Sequence, residues 1–397
     1  MKIIEKKFMQ NIEKLAFIFI LSLIFFSSAF AENLINPTNA KQQQIEQQSK
    51  IQDSNILAEE YLNIGKSFYK LGKYQEAIKN CDLAIKYKPD YEDAYNYKGM
   101  VLAKLGKYQE AIQYYNLAIK YGSSFTEAYN NKGNSLNKLG RYQEAIKNFD
   151  LALKYNLHFA VAYNNKGNSL SNLGKHQEAI ENCDLALKYN PRYPEAYYNK
   201  GISLMSLWQH QEAIKNFDLA IKYKSDYADA YNNKGAALIN LGKYQEAIET
   251  CDIAIKYQPH CVEAYYNKAI SLNILKKYHE AIENCDLAIK YDPTYTASYL
   301  EKGIALRKLG KYQEAINSYD LAIKYKSDYA ESYLEKGITL ISMGKEKEAK
   351  VNFHLALKYK PNLMTEYTEI IKALRKLGND LMADEFEEKL KIMQDNL

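Results

Sequence analysis

The stretch LGKYQEAIKNCDLAIKYKPD, Leu71–Asp90, decides the fold because the chain keeps rewriting it. LGKYQEAIQYYNLAIKYGSS begins at Leu105, LGRYQEAIKNFDLALKYNLH at Leu139 and LGKYQEAINSYDLAIKYKSD at Leu309, so the starts differ by whole multiples of one fixed period, the step from 71 to 105. A unit of this length cannot bury its own apolar side, so the copies must stack and share one continuous core. With Ala58 as position 1, repeats begin at 58, 92, 126, 160, 194, 228, 262, 296 and 330, and a tenth, degenerate one occupies 364–397.

Each repeat carries two apolar stripes at helical spacing. In the second repeat Tyr95, Gly99 and Leu102 form one, at positions 4, 8 and 11, and Ala111, Tyr115 and Ala118 form the other, at 20, 24 and 27. Leu105-Gly106 between them is a turn, glycine supplying the positive φ that ends a helix. Pro89, Pro191, Pro259, Pro293 and Pro361 stand at position 32, where they stop the second helix. The unit is therefore helix, tight turn, helix, short turn. Glycine at position 8 gives up about 1 kcal/mol of helix propensity, which points to close backbone approach there, with Ala at position 20 as the expected facing surface and large Tyr at 4 and 17 beside it.

The aromatic at 4, Gly at 8, Tyr at 17, Ala at 20 and 27 and Pro at 32 on this period resemble the tetratricopeptide repeat family across about residues 58–397. The resemblance implies an all-α fold: an α-solenoid of stacked helix-turn-helix units forming a right-handed superhelix. It implies a non-catalytic scaffold that binds protein or peptide partners in a concave groove. The tenth repeat (364–397) keeps Tyr367, Leu374, Leu377, Gly378 and Ala383, but Ile371 and Glu387 replace the Gly and the core residue, as suits a terminal cap.

Ahead of the repeats, residues 1–31 read as an export signal: a Lys-containing start, the apolar run Leu15–Phe26, and Ala29 and Ala31 in a cleavage arrangement. That run is about half of what crosses a bilayer, so the expected contact with membrane is through this segment before cleavage, and the expected location is periplasmic or secreted. Residues 32–57, rich in Gln and Asn, read as a polar tether, partly helical and without a core. Charged residues make up 25% and hydrophobic ones 47%, ordinary for a folded chain. Net charge is +5; the segment 1–31 holds four Lys and two Glu, which leaves +3 on the remainder. That is too little and too dispersed for nucleic acid.

Reactive constellations are missing from the sequence. Cys81, Cys183, Cys251 and Cys285 share position 24 with Tyr115, Phe149, Phe217, Tyr319 and Phe353, so they read as small core residues with free thiols; Cys261, in a turn, is the expected exposed thiol. The six His are scattered, and no HExxH, CxxC, EF-hand, P-loop, GxSxG or GxGxxG spacing occurs. No enzyme, metal or cofactor is expected. Position 7, usually apolar in the family, is Lys in eight repeats, and in seven of these an Asp stands at position 25 of the preceding repeat, as Asp184 does before Lys200. A ladder of Asp-to-Lys pairs between successive repeats is expected, the Lys stems covering core.

What remains for function is the flank of each first helix bearing positions 2, 5, 9 and 12. Asn130, Asn134, Asn137, Asn164 and Asn168 occupy it in repeats three and four; Tyr198, Ile202, Met205, Tyr266 and Ile270 occupy it in repeats five and seven. Asn side chains can bond an extended peptide backbone, and the apolar continuation suits a partner with hydrophobic anchors. The alternatives are a self-associating structural subunit of a cell envelope and a secreted host-interacting effector.

Overall fold

The structure, a computed structural model, describes residues 37–397; the expected export signal and residues 32–36 of the tether lie outside them. Twenty helices and no strand occur among the described residues. They divide into two compact units, the first ending at Ser135 and the second starting at Leu136. The first unit holds α1 (Pro37–Lys70), α2 (Tyr74–Tyr87), α3 (Glu92–Lys104) and α4 (Tyr108–Tyr121), and the division falls within α5 (Thr126–Lys138). In the second unit α6 (Tyr142–Tyr155) precedes the pairs α7 (Ala160–Asn172) and α8 (His176–Tyr189), α9 (Pro194–Ser206) and α10 (His210–Tyr223), α11 (Ala228–Asn240) and α12 (Tyr244–Tyr257), and α13 (Val262–Ile274) and α14 (Tyr278–Tyr291). There follow α15 (Thr296–Lys308) and α16 (Tyr312–Tyr325), α17 (Ala330–Ser342) and α18 (Glu346–Tyr359), and α19 (Leu363–Lys376) and α20 (Asp380–Asp395). Odd-numbered helices are the first of each repeat. The tether from residue 37 on is one helix with the start of the first repeat rather than a separate segment.

Gly106 shows how a pair turns. At φ 77° it leaves the helix, while Lys107 N–H returns to Leu102 O (3.0 Å). Trp208 and Lys276 take the same left-handed turn at φ 59° and 61° without glycine, at about 1–2 kcal/mol each.

Close packing inside a repeat sets position 8 against position 24. A Cβ on Gly201 would fall 2.5 Å from the Phe217 ring, and one on Gly303 would fall closer still to the Tyr319 ring. Where position 24 is aromatic its ring covers the glycine; where it is Cys, the expected Ala at position 20 lies there as well, its carbonyl oxygen 3.3 Å from a Cβ on Gly65 and 3.1 Å from one on Gly167. Ala269 stands at position 8 in repeat seven, where position 24 is Cys285 rather than an aromatic, and both are fully buried. The position-24 cysteines are buried and free. Burial pushes the thiols of Cys81, Cys183 and Cys251 up to about 12. Cys261 is buried too, against expectation. It takes position 34, where Tyr193, Tyr227, Tyr295 and Tyr329 stand in other repeats, and it packs with Cys251, Ala254 and Ala264.

Successive repeats are joined by the expected ladder. Lys98 pairs with Asp82 in the first unit; in the second, Lys166, Lys200, Lys234, Lys268, Lys302 and Lys336 each reach the position-25 Asp of the preceding repeat, at 2.5–2.7 Å throughout. The Asp side chains are about half exposed, so each pair is worth roughly 0–1 kcal/mol and fixes register more than stability. Tyr at position 30 stacks on the aromatic at position 4, as in Tyr197–Tyr223 (5.8 Å) and Tyr299–Tyr325 (5.7 Å).

The tenth repeat breaks the pattern. Elsewhere in the second unit each second helix packs extensively on the next first helix; α18 and α19 have no such extensive pairing, and α20 packs on α17 instead. The last hairpin thus turns its second helix onto the row of first helices.

Candidate functional site

The first helices present two kinds of inner row. Where position 5 is Asn, it serves the stack: Asn164 is buried, donates to the Tyr193 hydroxyl (3.4 Å) and accepts from Asn199 of the next repeat (2.9 Å). Asn267 bonds Asn232 (2.9 Å) in the same way, and in the first unit Asn131 bonds Asn96 (3.1 Å). Asn130 is likewise buried. Asn164, expected to face a ligand, lies between helices, because position 5 there points toward the next repeat. Asn134 is half-buried on the first unit's part of α5. In the second unit Asn137 accepts from Ser169 (2.7 Å), and Asn168 is exposed beside Asn172.

The apolar candidates are half-buried. The Tyr198 hydroxyl accepts from Asn233 (3.1 Å) and its ring lies 5.0 Å from Tyr227. Ile202 packs on the cluster of Leu204 and Phe217. Tyr266 stands edge-on to Tyr295 at 5.5 Å. Met205 and Ile270 both pack on the cluster around Ile239 and Tyr244, and so does Met382 of α20.

That contact is one end of a long seat. Asn379, just before α20, is buried; its amide donates to Ile239 O (2.9 Å) and Asn240 O (3.2 Å) at the end of α11, and its carbonyl oxygen accepts from the Tyr244 hydroxyl. The same oxygen accepts from Met382 N–H (3.4 Å), capping α20. Midway, Lys389 meets Glu335 of α17 at 2.8 Å and Glu385 of its own helix at 3.1 Å, and Glu335 also takes Arg307 of α15 at 3.1 Å. Glu335, Arg307 and Lys389 expose only 3, 10 and 12% of their side chains, so these charges are desolvated and survive through pairing. Burial alone would raise the Glu335 carboxyl, but Lys389 and Arg307 outweigh it and hold it below the ordinary carboxylate range. Glu301 of α15, which accepts from Asn273 (2.9 Å), is pushed up to about 7 by burial. At the far end Met393 is fully buried among Leu334, Ile338 and Phe353.

Glu301 and Glu335 are site residues that the reading of the sequence passes over. Their signal is there: both stand at position 6, which is Asn165, Asn199, Asn233 and Asn267 in repeats four to seven. Among the described residues no group of His, Cys, Asp or Glu is placed to hold a metal, and no helix is long and apolar enough to cross a membrane.

Models described as tetratricopeptide repeat match residues 62–125, 126–159, 160–193, 194–227, 228–261, 262–295 and 330–363, and one described as TPR repeat matches 303–344. The chain belongs to the tetratricopeptide repeat family. No curated protein matches this repeat protein in sequence. Among solved structures it is similar to the APC/C hetero-tetramer Cut9–Hcn1, with TM-score 0.53 and 15% identity over 77% of this chain and 59% of that one. It is also similar to a tetratricopeptide repeat protein from Parabacteroides merdae, with TM-score 0.51 and 16% identity over 63% of this chain and 98% of that one. A third similar chain, YrrB, titled a TPR protein with an unusual peptide-binding site, gives TM-score 0.39 and 22% identity over 46% of this chain and 95% of that one. The fold is thus that of helical tetratricopeptide repeats, an architecture built for holding other proteins.

Proposed function

We propose that this protein is a non-catalytic scaffold whose second unit binds segments of partner proteins along the inner row of its first helices. The observation that carries the reading is the seat of α20: the row that bears Asn168 and Ile202 in repeats four and five continues into a surface already holding a helix through side-chain contacts in repeats six to nine. Asn168 is exposed; its side-chain oxygen accepts from Asn172 (3.4 Å), which leaves its NH2 to offer a backbone carbonyl.

Photo-crosslinking in the native cell tests this. A photoreactive residue at Asn168 or Ile202 should give a discrete adduct with a partner, and one at exposed Glu181 on α8 should not. Equal adducts at all three positions, or none at any, sinks the inner-row reading, and an adduct between two copies of the chain moves it to a self-associating subunit. We further propose that the protein works outside the cytoplasm, a reading supported by the apolar run Leu15–Phe26 and by Ala29 and Ala31. Intact mass of the native protein should then lack residues 1–31.

A further inference from the structure

We infer that the inner face of α11, α13, α15 and α17 is an acceptor site for an amphipathic helix with a central lysine, and that α20 holds this site as a built-in competitor. The inference rests on the binding reading above and names the ligand's chemistry. Four residues of α20 define the pattern: Met382, Phe386, Lys389 and Met393, at i, i+4, i+7 and i+11, fall along one helix face. Met382 packs on the cluster around Ile239, the buried Lys389 amine, 5.5 Å from the Phe386 ring, reaches Glu335, and Met393 closes the cluster of Leu334 and Ile338. The acceptor side is matched to that cation, since the position-6 row changes from Asn to Glu301 and Glu335 in the two repeats that face the middle and end of α20.

The way the charges are distributed makes the helix displaceable. Removing one partner from a buried ion pair normally strands the other. Here each charge keeps a counter-ion on its own side: Glu335 retains Arg307, and Lys389 retains Glu385 one turn back along α20. The acceptors of Asn379, Ile239 O and Asn240 O, are carbonyls at the end of α11, which water satisfies when exposed. Both sides of the seat therefore keep polar partners when α20 leaves. The helix pairs and the Asp-to-Lys ladder of the preceding repeats do not run through α20, and its departure exposes the apolar clusters that Met382 and Met393 join. A competing helix of the same pattern makes the same contacts and meets a surface that is already formed.

The test uses the full chain and a labelled synthetic peptide of residues 379–397. Lys389→Glu sets two carboxylates against each other and should release α20. The variant should then bind the peptide at least tenfold more tightly than the wild type by fluorescence anisotropy, and a peptide carrying Lys389→Glu should not bind. Equal binding by variant and wild type, or none by a variant whose circular dichroism is native, overturns the inference. Should the variant lose helicity, hydrogen exchange on the wild-type chain decides. The amides of α20 should exchange together, at least tenfold faster than those of α13 and α15, whereas equal protection makes α20 a fixed cap and overturns the inference. Failure here with adducts still found at Asn168 leaves the binding reading standing; failure at Asn168 with peptide binding intact removes that reading from repeats four and five alone.

Discussion

In repeat four, positions 5, 6 and 9 of the first helix are Asn164, Asn165 and Asn168; in repeat nine they are Leu334, Glu335 and Ile338. In the first set Asn164 is bonded to the next repeat and Asn168 is exposed, and the second is buried beside the cluster that Met393 of α20 closes. Yet the two repeats share their frame. Gly167 lies against Cys183 and Gly337 against Phe353, Asp150–Lys166 and Asp320–Lys336 tie each to its predecessor, and Tyr163–Tyr189 and Tyr333–Tyr359 stack alike. The frame positions answer only to their own and neighbouring repeats and keep the same contacts, the pair at 8 and 24 varying only in the size of the covering side chain. The inner positions answer to whatever lies on them, and they change where α20 lies.

The largest expected effect breaks this contrast at its most expensive point. Glu335→Gln leaves Arg307 buried without a carboxylate and Lys389 with Glu385 alone, and should cost about 3–5 kcal/mol, read as a lower denaturant midpoint with early exposure of α20. Asn199→Ala, at the same position in repeat five, removes one neutral hydrogen bond to Asn164 and should cost about 1 kcal/mol. Equal costs would mean that the position-6 acids are not built for α20.

Next in size is a pH effect confined to the covered repeats. Burial pushes Glu301 up to about 7, against about 4.3 for an ordinary glutamate. The groups around it are Lys389, Glu385 and Glu335, with Asn273 donating to its carboxyl. The folded chain therefore holds a proton there that the unfolded chain releases between about pH 4 and 7. The penalty for ionising it grows over that range and is full above pH 7. Glu301→Gln should raise the melting temperature at pH 8, by an amount corresponding to about 1–3 kcal/mol, and leave it nearly unchanged at pH 4. A gain that does not vary with pH would show that the carboxyl is already ionised in the folded chain.

The frame was legible in the sequence because it is local. The period, the helix pairs, the glycine turns and the Asp-to-Lys spacing all follow from residues within one repeat or its neighbour, and Asp184–Lys200 lies where that spacing puts it. The differences have specific causes. A turn position predicts exposure for Cys261, although the aromatic at position 34 in other repeats marks a buried site. A helical wheel places Asn164 on the ligand's flank, because it shows which flank a residue occupies and not whether the next repeat covers it. The pattern of repeat ten fits a hairpin and a terminal cap, and says nothing of where its second helix sits. Its seat depends on Asn379 meeting Tyr244 across 135 residues, and no period reports a contact of that kind. The replacement of Asn by Glu at 301 and 335 hints at a cation nearby, but not at Lys389 as its source.

The smallest expected effect is also the sharpest test of the division between frame and inner row. Double-mutant cycles on Asp184–Lys200 and on Asp320–Lys336 should each give a coupling of about 0.2–1 kcal/mol. The two values should agree, because both pairs have the same geometry, 2.6 and 2.5 Å, with Lys about a fifth exposed and Asp about half exposed. Water screens both pairs equally, and the cation of α20 goes to Glu335 rather than to Asp320. If the coupling in repeat nine vanished in the Lys389→Glu background while that in repeat five persisted, the ladder would be responding to α20 after all. The frame would then transmit the state of the inner row from one repeat to the next. If both couplings are unmoved by that substitution, the stack is a passive support, and what the protein holds is decided on the inner face alone.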